Sequence, residues 1–227
     1  MAQGLFKKRF ITLSELAPAL RKQIRYRVSG SENADDIAEG REQALAVVKG
    51  KSVAELKQAC REIVDNRMLE KSYADTIELA AMHLAAGQQV WLVSATPVQI
   101  GQALAETLGF TGALGTVAEE KDGKFTGRLV GDILHGPGKK HAVAALAALQ
   151  QLDLSKCTAY SDSINDLPML EMVGSPVAIN PDRALRKHAK AQGWAVRDYR
   201  SVRRVVRAGV VPAVLAGAGL WWWRRRR

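Results

Sequence analysis

Tyr160-Ser161-Asp162-Ser163-Ile164-Asn165-Asp166-Leu167-Pro168-Met169-Leu170 sets two carboxylates four residues apart where an apolar strand turns into a helix. Cys157 to Tyr160 reads as a short buried strand, and Ile164 to Met172 as a helix opening with Leu167, Leu170 and Met172 available for packing. Asp162 then falls at the carboxyl edge of the strand, and Asp166 in the first helical turn, on the side facing back toward that edge. Such a pair suits one hard cation such as Mg²⁺, which takes oxygen ligands and keeps several waters for a substrate phosphate. A plainer reading also holds: Asp162 or Ser163 caps a helix whose first turn favours acidic groups.

Two other segments bear on the choice. Gln89 to Val93 is an apolar run of strand length ending in Ser94-Ala95-Thr96-Pro97, followed by the helical spacing Val98, Ile100, Leu104 and Leu108 with Gly109 as its stop. Pro97 suits a first helical position, and the unpaired amides there, with the Ser94 hydroxyl, offer a seat for a phosphate oxygen. Ordinary capping or turn formation explains Ser94 equally well. Gly136-Pro137-Gly138-Lys139-Lys140 runs straight into a helix over His141 to Leu152. Lysine in a first turn has the wrong sign for the helix dipole, a penalty that a bound anion reverses and that solvent reduces to a few tenths of a kcal/mol.

A serine at one strand end, a lysine at a helix start and an aspartate pair at a later strand end, in that order, resemble three of the four motifs of the haloacid dehalogenase superfamily. The similarity is to its phosphoserine-phosphatase-like branch, subfamily IB, and covers residues 1 to 200. The resemblance implies an α/β, Rossmann-like parallel sheet with an N-terminal helical cap, and a Mg²⁺-dependent phosphatase acting on a small phosphorylated substrate. It implies that Ser94 and the adjoining Ala95 bind the phosphoryl group, that Lys139 neutralises it and the developing charge, that Asp162 and Asp166 hold Mg²⁺, and that Asn165 helps bind phosphate or order the loop. Lys140 does not follow the glycine directly, as the family lysine does.

The chain also departs from the family. These enzymes attack phosphate with the first aspartate of an Asp-x-Asp-x-Thr loop at the end of their first strand, forming an aspartyl-phosphate that water cleaves. No Asp-x-Asp occurs at any position here. The chain opens with a helical pattern, and Asp35-Asp36 lies in a polar turn that starts a helix over Ile37 to Val48. In the family, the missing strand lies at the centre of the sheet, between the strand ending at Ser94 and the one ending at Asp162; without it, two edges lose their partners. The expectation is therefore a misplaced start or a truncated gene, inactive as written. The alternative is a catalytically dead phosphate-binding or scaffold protein tethered to a membrane.

Residues 1–85 are helical in pattern, with stripes at Leu13, Leu16, Leu20 and Ile24, at Ala44 to Val48, and at Val53, Leu56, Cys60, Ile63 and Val64. By the resemblance this is the cap, which closes over the site and selects the leaving group. Arg21, Lys22, Arg25 and Arg27 could meet an anionic substrate there or form a solvated face. A helix spans Tyr73 to Ala86, and residues 86–200 then alternate strand and helix, the pattern of a parallel sheet covered on both faces. Lys121-Asp122-Gly123 is a hairpin turn between Thr116–Ala118 and Lys124–Leu129. Ser175 to Asn180 reads as a strand, Arg183 to Gln192 as a helix and Trp194 to Val196 as a short strand.

A chain of 227 residues with 47% hydrophobic content can bury a substantial core. Cys60 and Cys157, far apart and without metal spacing, read as buried thiols in a cytoplasmic protein. The net charge of +10 is a tail property: residues 197–227 hold nine arginines against one aspartate and account for +8 of it. A nucleic-acid partner is not expected, because no binding module accompanies the tail. Residues 201–227 carry an uncharged stretch, Ala208 to Trp223, between arginine clusters. As a helix it reaches about 24 Å, short of the roughly 30 Å hydrocarbon core. Three tryptophans beside Arg224 to Arg227 match an interfacial anchor on an anionic membrane surface through residues 208–227; a disordered basic tail is the other reading.

Overall fold

The computed structural model describes residues 45–64 and 74–199. The stripe from Leu13 to Ile24, the Asp35-Asp36 turn, the basic residues 21–27 and the tail 208–227 lie outside the described residues. The chain divides into two compact units, Met1–Ala142 and Val143–Arg227.

In the first unit, α1 (Val53–Ile63) and α2 (Ala74–Ala85) precede β1 (Trp91–Pro97), α3 (Val98–Leu108), β2 (Gly112–Thr116), β3 (Ala118–Lys121) and β4 (Lys124–Leu129). Ser52 caps α1 by accepting from the Glu55 amide at 3.3 Å, the first half of a Ser-x-x-Glu capping box. The α1 stripe buries Val53, Leu56, Cys60 and Val64 against Ile100 and Ala103 of α3 and Phe125 of β4. This apolar cluster anchors the segment expected as cap directly on the α/β layer. Asp122 (φ 50°) and Gly123 (φ 73°) supply the paired left-handed residues that a two-residue hairpin between β3 and β4 requires.

β1 and β2 pair in parallel, with Trp91 opposite Gly112 and Val93 opposite Leu114, and α3 is the crossover between them. The sequence assigned no element to 112–115 and placed Thr116 to Ala118 in the hairpin, whereas Thr116 ends β2 and the hairpin strand β3 starts at Ala118; Gly112 and Gly115 read as loop punctuation in a sequence. Both are close-approach positions instead. A Cβ on Gly112 would meet the Trp91 ring at 2.5 Å, and one on Gly115 would meet the Val98 backbone at 2.5 Å.

The second unit begins within α4 (Pro137–Leu149), a helix that crosses the division between the units. It comprises β5 (Thr158–Ser161), α5 (Leu167–Leu170), β6 (Ser175–Ile179), α6 (Arg183–Ala191) and β7 (Ala195–Arg197). The strands form a parallel sheet in the order β5-β6-β7. Leu170, Ala178, Leu185 and Ala189 form its core, flanked by Ala159, Ile164, Trp194 and Val196. The parallel α/β class matches the expectation. Among the described residues β1 pairs only with β2 and β5 only with β6, so each of these two strands has one side without a strand partner.

Candidate active site

The residues singled out by sequence fall in both units, Ser94, Ala95 and Lys139 in the first and Asp162, Asn165 and Asp166 in the second.

Ser94 to Thr96 sit where the β1–β2 register shifts, between the Val93 and Pro97 pairings. Such irregularities bend a strand and re-aim its side chains. The Ser94 oxygen accepts from the Thr96 amide at 3.2 Å and from the Thr96 hydroxyl at 3.0 Å. With both lone pairs engaged, the Ser94 proton is the part left to donate. Ala95 is exposed, and its carbonyl accepts from the Thr116 hydroxyl at 2.9 Å. Pro97 is the N-cap of α3 rather than its first residue, and no side chain caps that helix.

Thr116 also accepts from the Leu134 amide at 3.2 Å. One hydroxyl thus ties the Ser94 bulge to the segment leading into α4. That helix begins at Pro137, four residues ahead of the expected start at His141, and this places half-buried Lys139 in its first turn. The first-turn amides of Gly138 and Lys139 bond the carbonyls of His135 and Gly136, at 3.0 and 3.1 Å. Gly138 approaches the Ile133 carbonyl so closely that a Cβ would lie 2.1 Å from its oxygen. The glycine before Lys139 is therefore required by packing.

In the second unit β5 ends at Ser161 and is followed by a 3₁₀ turn, Ile164–Asp166, then α5. The helix expected through Met172 stops at Leu170, and Pro168 lies in its first turn, where proline is tolerated. Ser163 takes the capping role, accepting from the Asn165 amide at 3.3 Å. Asp162 and the Asn165 side chain are exposed, whereas Asp166 is buried. Buried Ser161 donates its hydroxyl proton to Asp166 Oδ2 at 2.7 Å and accepts from the Ser163 amide at 3.2 Å. Burial raises the pKa of the Tyr160 phenol on the same strand, against the opposing charge of Arg197.

The donor chemistry fits Mg²⁺: Asp162 and Asp166 offer hard carboxylate oxygens and no soft ligand. Among the described residues no group of three or more His, Cys, Asp or Glu side chains converges. Two carboxylates with water and phosphate completing the shell is a usual arrangement for Mg²⁺.

Sequence reasoning missed Ser161, Thr116 and Asp182. Asp182 accepts from the Ile164 amide at 2.8 Å and from the Leu185 amide at 2.7 Å, serving as N-cap of α6. An aspartate directly before a helical pattern was the available signal. Of the two thiols expected to be buried, Cys60 is fully so, while Cys157 is half-buried and donates to the Asp153 carbonyl at 3.3 Å.

Residues 3–171 match the family described as haloacid dehalogenase-like hydrolase. The chain is 51% identical over 216 residues to phosphoserine phosphatase SerB1 of Mycobacterium tuberculosis, covering 95% of this chain and 70% of that protein. It is 32% identical over 160 residues to a histidinol-phosphatase of Neisseria meningitidis, covering 69% of this chain and 72% of that one. A crystal structure of a protein of unknown function from Bordetella pertussis Tohama I superposes with a TM-score of 0.72 at 30% identity, covering 87% of this chain and 89% of that chain.

Proposed function

The chain belongs to the haloacid dehalogenase-like hydrolases, and from that premise we propose that it is the substrate- and metal-binding part of a Mg²⁺-dependent phosphomonoester phosphatase of the phosphoserine-phosphatase kind. The observation that carries this reading is the Asp162–Asp166 turn at the carboxyl end of a parallel strand. One of its carboxylates is exposed to ligand, and the other is buried and held by Ser161. Carboxyl ends of parallel strands are where such folds place ligands.

In this reading Asp162 and Asp166 hold the cation, which when bound draws the phosphate oxygens and neutralises their charge. Ser94 donates its proton to a phosphate oxygen beside the exposed backbone of Ala95, Lys139 offsets the remaining charge, and Asn165 orders the phosphate from the turn. These groups bind and orient. None of them replaces the aspartate nucleophile, which is absent from the 227 residues, so the chain by itself is inactive. The substrate is a small phosphate monoester; relatives bearing phosphoserine and histidinol-phosphate names leave the leaving group open.

Calorimetric titration with MgCl₂ tests the reading. Weak, millimolar-range binding that Asp162→Asn abolishes supports it, and binding indifferent to that substitution excludes this site.

A second reading concerns location, favoured by the tryptophan and arginine composition of residues 208–227. No helix among the described residues is long and apolar enough to cross a membrane, and the tail lies outside them. Sedimentation with anionic vesicles, lost on deletion after Arg200, supports a surface anchor; a chain that stays in the supernatant at low salt excludes it.

A further inference from the structure

We propose that Asp182 is a positioning residue for the Asp162–Asp166 turn, an inference that rests on the metal reading above. Capping α6 needs one oxygen, and Asp182 Oδ1 supplies it to the Leu185 amide at 2.7 Å. Its second oxygen is spent elsewhere: Oδ2 accepts from the Ile164 amide at 2.8 Å, eighteen residues back in sequence. The Asp182 amide in turn donates to the Asp162 carbonyl at 2.7 Å. A single residue thus grips the main chain on both sides of Ser163, once at the residue bearing the first metal carboxylate and once at the start of the turn bearing the second.

The grip is itself anchored. Buried Asn180 adopts a left-handed conformation (φ 46°) that turns the chain at the end of β6. Its amide donates to the Arg197 carbonyl at 2.8 Å, and its side-chain oxygen accepts from the Tyr199 amide at 2.8 Å. Pro181 is buried and fixes φ in the step to Asp182. The far end of the turn is fixed separately, by Ser161 on Asp166. The Asp162–Asp166 turn is therefore held in two ways before any cation arrives, its main chain by Asp182 and the Asp166 carboxylate by Ser161, so less ordering entropy remains to be lost on binding.

The chemistry requires a carboxylate. Two amides approach from different segments, and only an ionised carboxyl presents two acceptor oxygens with no donor. Asparagine would turn an NH₂ group toward one of them. Serine retains helix capping but cannot reach the second amide.

Two variants of the full chain separate positioning from folding. Asp182→Ser keeps the cap on α6 and gives up the Ile164 amide. Ile164→Pro removes that amide while leaving Asp182 intact, at the first position of a helical turn where proline is tolerated. Calorimetry with MgCl₂ alone is run beside thermal unfolding and amide exchange. The expected result is about tenfold weaker Mg²⁺ binding in both variants, the order seen when groups supporting a metal ligand are removed. Unfolding should stay cooperative, and in Asp182→Ser the Ile164 amide should exchange faster while Leu185 stays protected. Wild-type affinity in both variants, with binding still abolished by Asp162→Asn, overturns the positioning role and leaves the metal reading standing. Absence of any Mg²⁺ binding in the wild type overturns both.

Discussion

Ser161 and Asp166, five residues apart, share a buried hydrogen bond of 2.7 Å from the hydroxyl to Oδ2. The bond joins the last residue of β5 to the end of the 3₁₀ turn, so the acidic turn closes on the strand that launches it. A buried carboxylate stripped of a donor bears the desolvation cost of its unsatisfied oxygen, about 1–3 kcal/mol. Ser161→Ala should lose that much stability in urea unfolding and should also weaken Mg²⁺ binding. A stability change below about 0.5 kcal/mol, the usual range for surface substitutions, would mean that water or a neighbouring group replaces the hydroxyl.

Thr116 makes a parallel prediction in the first unit. Its hydroxyl donates to the Ala95 carbonyl and accepts from the Leu134 amide. Thr116→Val keeps the β-branched shape and removes both bonds, at about 1 kcal/mol each. Because Ala95 adjoins Ser94 and Leu134 leads toward Lys139, the variant should also lose affinity for inorganic phosphate. Phosphate binding equal to wild type, measured by calorimetry, would restrict Thr116 to a purely structural role.

The Cys60 thiol is wholly buried, and desolvation pushes its pKa from 9.0 to about 11. A raised folded-state pKa means that the native protein holds the proton more tightly than the unfolded chain. Its contribution is full below about pH 9 and is lost as pH rises toward about 11. Urea midpoints should therefore fall over that window, less steeply in Cys60→Ala. At pH 8 a thiol reagent should label half-buried Cys157 well ahead of Cys60; equal rates would show that α1 opens readily.

Elements with strong periodicity and clear punctuation were legible in the sequence. The Val98–Leu108 helix with its Gly109 stop, the Asp122-Gly123 hairpin and the alternation of strands and helices all have local causes. β2 was not legible, because Gly112 and Gly115 answer to the Trp91 ring and the Val98 backbone, neighbours distant in sequence. The candidate site shows the same division. Residue types at strand ends and helix starts marked Ser94, Lys139, Asp162 and Asp166. Thr116, Ser161 and Asp182 act through individual side-chain hydrogen bonds that leave no periodic trace. Pro97 was placed one residue too far into its helix, since strand β1 runs on through it.

The central claim is that the chain carries phosphate- and metal-binding groups of a phosphatase and lacks only its nucleophile. The direct measurement is Mg²⁺-dependent hydrolysis of a generic aryl phosphate by two proteins: the 227-residue chain, and the same chain joined after an apolar strand ending in Asp-x-Asp-x-Thr. The account predicts no turnover by the first. It predicts turnover by the second that disappears when the first loop aspartate becomes Asn, disappears in Asp162→Asn, and falls by about 10²–10³ in Lys139→Ala through lost charge stabilisation. Hydrolysis by the chain as it stands, or none by an extended protein that unfolds cooperatively and binds Mg²⁺, would contradict it.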